Sequence, residues 1–99
     1  MEPQNNDMIN VEQTDDQFEI FYNGQRAGFM QYHKEKNKGI LAITHTEVFE
    51  EFGGKGLGME LVKAAVENAK RNNYKIISSC SYAKKMMERT PEFKEFLAD

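Results

Sequence analysis

The run Gly53-Gly54-Lys55-Gly56-Leu57-Gly58 places four glycines just ahead of an apolar helical pattern. Glycine loses the most backbone entropy on folding, so such a run at a helix start is costly. A turn or a cap explains one or two of these glycines. All four together predict that bare backbone N–H groups approach a bulky anion. A helix N-terminus offers unpaired N–H donors and the positive end of a dipole, which suits a pyrophosphate. Two familiar phosphate loops fail on spacing. A Walker loop needs a glycine where Phe49 stands and Ser or Thr where Gly56 stands. A Rossmann fingerprint needs its third glycine one residue beyond Gly58.

The second reactive group is a thiol. Cys80 follows an apolar strand pattern and sits among Ser79, Ser81 and Tyr82, with Lys84 and Lys85 just beyond. A thiol at such a strand-to-helix junction tends toward a lowered pKa, and a thiolate can attack a thioester. A free cysteine is also often a small buried hydrophobe, so both readings stand. His45 and Glu47 are candidate general bases. The imidazole has the right intrinsic pKa, and a lone strand histidine is equally often structural. His33, among Lys34, Glu35 and Lys36, reads as a solvated strand end.

Several elements must position these groups. Phe18 to Tyr22 is rich in strand formers and runs into Asn23-Gly24, a strong hairpin signal. Arg26 to His33 reads as the returning strand, and Glu35 to Gly39 as a polar turn. Ile40 to His45 reads as the next strand, followed by a short separate one at Glu47-Val48-Phe49. Leu61, Val62, Ala65, Val66 and Ala69 recur at helical spacing, and Asn72-Asn73 ends that helix. Tyr74 to Ser79 reads as a strand and Ala83 to Glu88 as a short helix. Thr90 fits an N-cap and Pro91 a first helical position, opening a helix to Leu97. The order predicts an α+β fold: a mixed, mainly antiparallel sheet with a central helix and short C-terminal helices. Residues 1–14 read as a flexible lead-in and 15–99 as one minimal domain, although Val11 could already start a strand.

The composition narrows the partners. The 99 residues hold 13 Lys and Arg against 16 Asp and Glu, a net charge of −3. No basic block stands out, so nucleic acid is not the expected partner. No apolar run reaches membrane-spanning length. One cysteine and two histidines do not close a structural zinc site, so no metal is expected. The polar, acidic start lacks the pattern of a secretory signal, and a reduced cytoplasmic setting is expected.

Gly53-x-x-Gly56-x-Gly58 resembles the coenzyme A loop of the GNAT acetyltransferase superfamily, Gln/Arg-x-x-Gly-x-Gly/Ala, with Gly53 at the Gln or Arg position. His45-Thr46-x-Val48 before the loop and Ser79-Cys80-Ser81-Tyr82-Ala83-Lys84 after it resemble the short, stand-alone branch. The likeness spans roughly residues 17–97. It implies acetyl-CoA as co-substrate and N-acetyl transfer to an amine. It further implies that Glu47, Val48 and Phe49 line the pantetheine arm by main-chain hydrogen bonds. Gly54, Lys55, Gly56, Leu57 and Gly58 would hold the pyrophosphate, with Ser81 and Tyr82 beside the cofactor.

Larger members carry Asn-x-x-Ala-x-x-x-Tyr next, the Tyr protonating the departing thiolate. Here Cys80 takes the Asn position and Met87 the Tyr position, leaving Tyr82 as a substitute acid. In the short branch the matching cysteine is an active-site candidate. Cys80 then either accepts the acetyl group, positions it, or is structural. The tight Asn23-Gly24 hairpin leaves no room for the helices that enclose the acceptor in larger members. That favours an open acceptor site and a protein or peptide amine. A non-catalytic acyl-CoA-binding domain is the alternative function. Monomer and homodimer are both compatible with the sequence.

Overall fold

The structure, a computed structural model, describes residues 8–98. Strands β1 (Ile9–Gln13), β2 (Gln17–Tyr22), β3 (Gln25–Glu35), β4 (Ile40–Val48) and β5 (Lys75–Ser78) form one sheet in that order. Neighbours pair antiparallel except β4 and β5, which are parallel. Helix α1 (Leu57–Asn72) joins β4 to β5, and α2 (Ser81–Arg89) and α3 (Pro91–Lys94) follow. This is the expected α+β design.

Asn23 and Gly24 both take positive φ, 49° and 85°, so the β2–β3 hairpin forms as their types dictate. Asn73 ends α1 at φ 60°, its N–H returning to the carbonyls of Ala69 and Lys70. The apolar stripe of α1 buries Leu61, Val62, Ala65 and Ala69 against Phe18, Ile20, Met30, Leu41, Ile43 and Ile76 of the sheet. Each large side chain so buried is worth about 1.5–3 kcal/mol. Met87 and Ala83 close this core from α2. On the opposite sheet face, the register sets Glu12, Glu19, Phe29 and Glu47 side by side. Those side chains are exposed or half-buried.

The structure differs from expectation in five places. Residues 9–13, placed in the lead-in, are the edge strand β1; residues 1–7 lie outside the described residues. The third strand and the short strand at Glu47–Phe49 are one strand. β3 is long enough to pair along all of β4, and the break in pattern is a bulge at Thr44. Gln31 faces His45 while Tyr32 already faces Ile43. Helix α2 starts two residues early, which brings Ser81 and Tyr82 into its first turn. Helix α3 stops at Lys94, because Leu97 turns in to bridge Ile76. Thr90 does not cap α3 with its hydroxyl, which donates to the Met86 carbonyl instead.

A polar chain ties β1 to the core. Asn68 Nδ2 donates to Gln13 Oε1, Gln13 Nε2 donates to Tyr32 Oη, and Tyr32 Oη donates to the Thr14 carbonyl. Tyr32→Phe is therefore expected to lower stability by about 1 kcal/mol. A urea midpoint equal to wild type would contradict this.

Candidate active site

The parallel pairing of β4 with β5 ends at Ile43 opposite Ser78. Ser79 N–H still donates to the Ile43 carbonyl at 3.0 Å, and then the chain leaves the sheet for α2. From Thr44 onward β4 is paired on its β3 side only. Phe49 N–H donates to the Ala27 carbonyl of β3. Backbone groups in an antiparallel pair alternate between the two sides. Glu47 and Phe49 are thus turned to β3, and Thr46 and Val48 present their backbone groups to the gap beside β5. Of the three residues expected to supply main-chain contacts, Val48 alone offers its backbone groups to that gap, and Thr46 offers its own beside it.

Beyond β4, a single 3₁₀ turn at Glu50–Phe52 leads into the glycine run. Gly54 and Gly56 take φ +78° and +76°, and a Cβ built at either meets no atom within 4 Å. Gly56 is the N-cap of α1, and no side chain caps the helix. At Gly58 the reason is different: a Cβ would stand 1.9 Å from the Tyr82 hydroxyl oxygen. Turn geometry and the packing of Tyr82 thus account for three of the four glycines. Their number alone is a weaker sign of an anion than it first reads. The uncapped helix end opening onto free space is the stronger one.

A cleft of about 520 Å³ lies between this turn and the free edge of β4. Of the expected cofactor residues, Val48, Phe49, Gly53, Gly54, Gly56, Gly58 and Tyr82 line it, and so do Thr46 and Glu50. Lys55, Leu57 and Ser81 do not line it. Leu57 is 1% exposed in the core and has only its backbone to offer. Lys55 places its ammonium 4.8 Å from the centroid of the Tyr22 ring, a cation–π contact. Glu50 adds a carboxylate to the cleft wall, so favourable contacts to an anion fall to the helix N–H groups.

Cys80 is the N-cap of α2. Its backbone is pinned: the Ser78 hydroxyl donates to the Cys80 carbonyl and accepts from the Cys80 N–H. Burial pushes the thiol up, but the Ala83 N–H, the Thr46 hydroxyl and the N–H groups of Tyr82 and Thr46 outweigh it, so the pKa falls below its ordinary value. Burial, then the charge of Cys80, raises Tyr82, so its phenol stays protonated at neutral pH.

His45 and Glu47 form a pair on β4, Nε2 to Oε1 3.4 Å, both about half exposed. The His45 ring lies 5.7 Å from that of Phe29. Strand alternation sends these two side chains to the face opposite Thr46. The expected catalytic residues thus divide into His45 with Glu47 on one side of β4 and Cys80 with Tyr82 on the other. Among the described residues no His, Cys, Asp or Glu cluster could hold a metal. None of the described helices is long and apolar enough to cross a membrane.

Gly28 is a residue that the motifs did not reveal. A Cβ there would stand 2.3 Å from the Glu47 carbonyl oxygen. An isolated glycine inside a strand pattern is the signal that could have found it.

The mixed sheet thus parts where a glycine turn leads into an uncapped helix end. The model of the GCN5-related N-acetyl-transferase family matches residues 17–96. The chain belongs to that family. It is similar to a GCN5-like protein from Staphylococcus aureus at 35% identity and TM-score 0.71, over 89% of this chain and 86% of that one. The fold is shared with a ribosomal-protein-alanine N-acetyltransferase from Brucella melitensis, at 18% identity and TM-score 0.61, over 74% of this chain and 60% of that one. It is shared too with a GNAT family acetyltransferase from Elizabethkingia anophelis holding acetyl-CoA. There the identity is 24% and the TM-score 0.56, over 63% of this chain and 40% of that one. A comparison with curated proteins returns no match.

Proposed function

We propose that this chain moves an acetyl group from acetyl-CoA to an amine. The observation that carries the reading is the uncapped N-terminus of α1 opening into the same cleft as the free edge of β4. Family membership and the acetyl-CoA bound by the Elizabethkingia anophelis protein support it. The pyrophosphate would rest on N–H groups of the Gly54–Gly58 turn. The pantetheine arm would run along Thr46 and Val48 as an added strand, which brings the thioester toward Cys80.

In the covalent route, the Cys80 thiolate attacks the thioester carbonyl. The new bond joins Sγ to the acetyl carbon, the bond from that carbon to the CoA sulfur breaks, and the CoA thiolate takes a proton from Tyr82 or water. The amine then attacks acetyl-Cys80, loses its proton to a base, and regenerates the thiolate. In the direct route the amine attacks the CoA thioester itself. Backbone N–H groups near Val48 steady the oxyanion in both.

His45 and Glu47 are the base candidates, reached across the strand through water. The acceptor is a protein or peptide amine. The supporting observation is that the connections at Thr14–Asp16 and Asn23–Gly24 hold no helix to enclose a small molecule. The working location is the reducing cytoplasm, as monomer or homodimer.

The division of the catalytic candidates by β4 favours one rival, an acyl-CoA-binding domain that transfers nothing. Calorimetry of wild type and Cys80→Ala with acetyl-CoA and CoA, followed by intact mass, separates the cases. The expected result is binding by both and an acetyl adduct on wild type only. Binding with no adduct and no acetylated amine in a peptide screen supports the rival. No binding at millimolar ligand overturns both.

A further inference from the structure

The Thr46 hydroxyl is buried and finds no hydrogen-bond partner among the described residues. A buried hydroxyl left without a partner is uncommon and calls for a reason. Thr46 stands on the free edge of β4, in the wall of the cleft and next to Cys80. Its N–H is turned to the gap by strand alternation. A thiol is a weak acceptor, whereas a thiolate is a full anion that draws every donor near it.

We infer that Thr46 is a positioning residue for Cys80: its hydroxyl and its N–H both donate to the sulfur once Cys80 is a thiolate, holding a nucleophile behind the cleft wall that Thr46 and Tyr82 form. The hydroxyl is thus idle beside the thiol and engaged beside the anion. The first-turn N–H groups of Tyr82 and Ala83 complete the cradle. No charged side chain of β4, β5, α1, α2 or α3 contributes to it, and Tyr82 is the titratable neighbour coupled to Cys80. The inference deepens the covalent route of the proposed acetyl transfer and rests on that reading for its biological use. Its test needs no coenzyme A, so the two fail separately.

Cys80 is the single cysteine of the chain, so a thiol reagent reports on it alone. The experiment is the rate of iodoacetamide alkylation against pH for wild type, Thr46→Val and Thr46→Ser, with intact mass confirming one adduct. Wild type is expected to reach half its limiting rate below the ordinary thiol range. Thr46→Val is expected to move that midpoint upward by about one unit and to slow alkylation at neutral pH about tenfold. Thr46→Ser, which keeps the hydroxyl, is expected to follow wild type. A Thr46→Val profile that superimposes on wild type overturns the role of the hydroxyl, and so does a Thr46→Ser profile shifted as far as that of Thr46→Val. Should Thr46→Val fail to fold, the ultraviolet titration of the wild-type thiolate still decides. A midpoint at or above that of a free thiol overturns the cradle, and one below it supports it.

Discussion

Replacing Gly54 and Gly56 together by alanine is expected to weaken acetyl-CoA binding by at least about tenfold, a loss of about 1.4 kcal/mol. Both residues sit at positive φ, where a non-glycine residue costs about 1–2 kcal/mol. The added methyl groups meet nothing within 4 Å in the protein itself. The fold can therefore house them, at a modest conformational cost. Both residues line the cleft, so the methyl groups fill space that a pyrophosphate would occupy. The two effects separate in experiment. Urea unfolding reads the conformational cost, and calorimetry at a temperature where the variant is fully folded reads the ligand. Stability lowered with unchanged affinity would show that the turn serves the backbone alone.

What the sequence disclosed follows from how local each signal is. Asn23-Gly24 needs only its own two residues to specify a hairpin, and the α1 stripe repeats over four turns. Both are visible without tertiary knowledge. β1 was harder, because an edge strand shows little alternation. Of Ile9 to Gln13, Val11 alone is even half-buried, and the strand is held by pairing with β2 and by Gln13. The unity of β4 was hidden by its own bulge. The extra residue Thr44 shifts the alternation by one, so the apolar run of Ile40 to Ile43 and the segment from His45 to Val48 read as two strands.

In the site, the glycine turn and Cys80 announce themselves by residue type. Thr46 does not, since a threonine in a strand is ordinary, and its importance comes from where β5 parts from β4. His45 and Glu47 are legible as a pair, but nothing local says that they face away from Cys80's neighbour. That follows only once the register of Thr46 is known.

Gly28→Ala is expected to be the most damaging of these changes to the scaffold of the cleft. The residue carries no positive φ, and its demand for glycine comes from close approach. A Cβ there would stand 2.3 Å from the Glu47 carbonyl oxygen and 3.0 Å from Val48 Cα. Both are backbone atoms, so no rotamer change relieves the clash, and β3 must move off β4. Overpacking of this kind costs about 1–3 kcal/mol, and the upper end applies where backbone rather than a side chain must yield. The displaced segment is the one that offers Val48 to the cleft, so affinity for acetyl-CoA should fall together with stability. Gly24→Ala is the matched control. It sits at φ +85° in the β2–β3 hairpin with no atom near its Cβ, so it costs backbone conformation alone and leaves binding unchanged. Urea midpoints and calorimetric titrations of both variants test the pair. A Gly28→Ala protein as stable as Gly24→Ala, with wild-type affinity, would mean that the spacing of β3 and β4 is not what shapes the cleft.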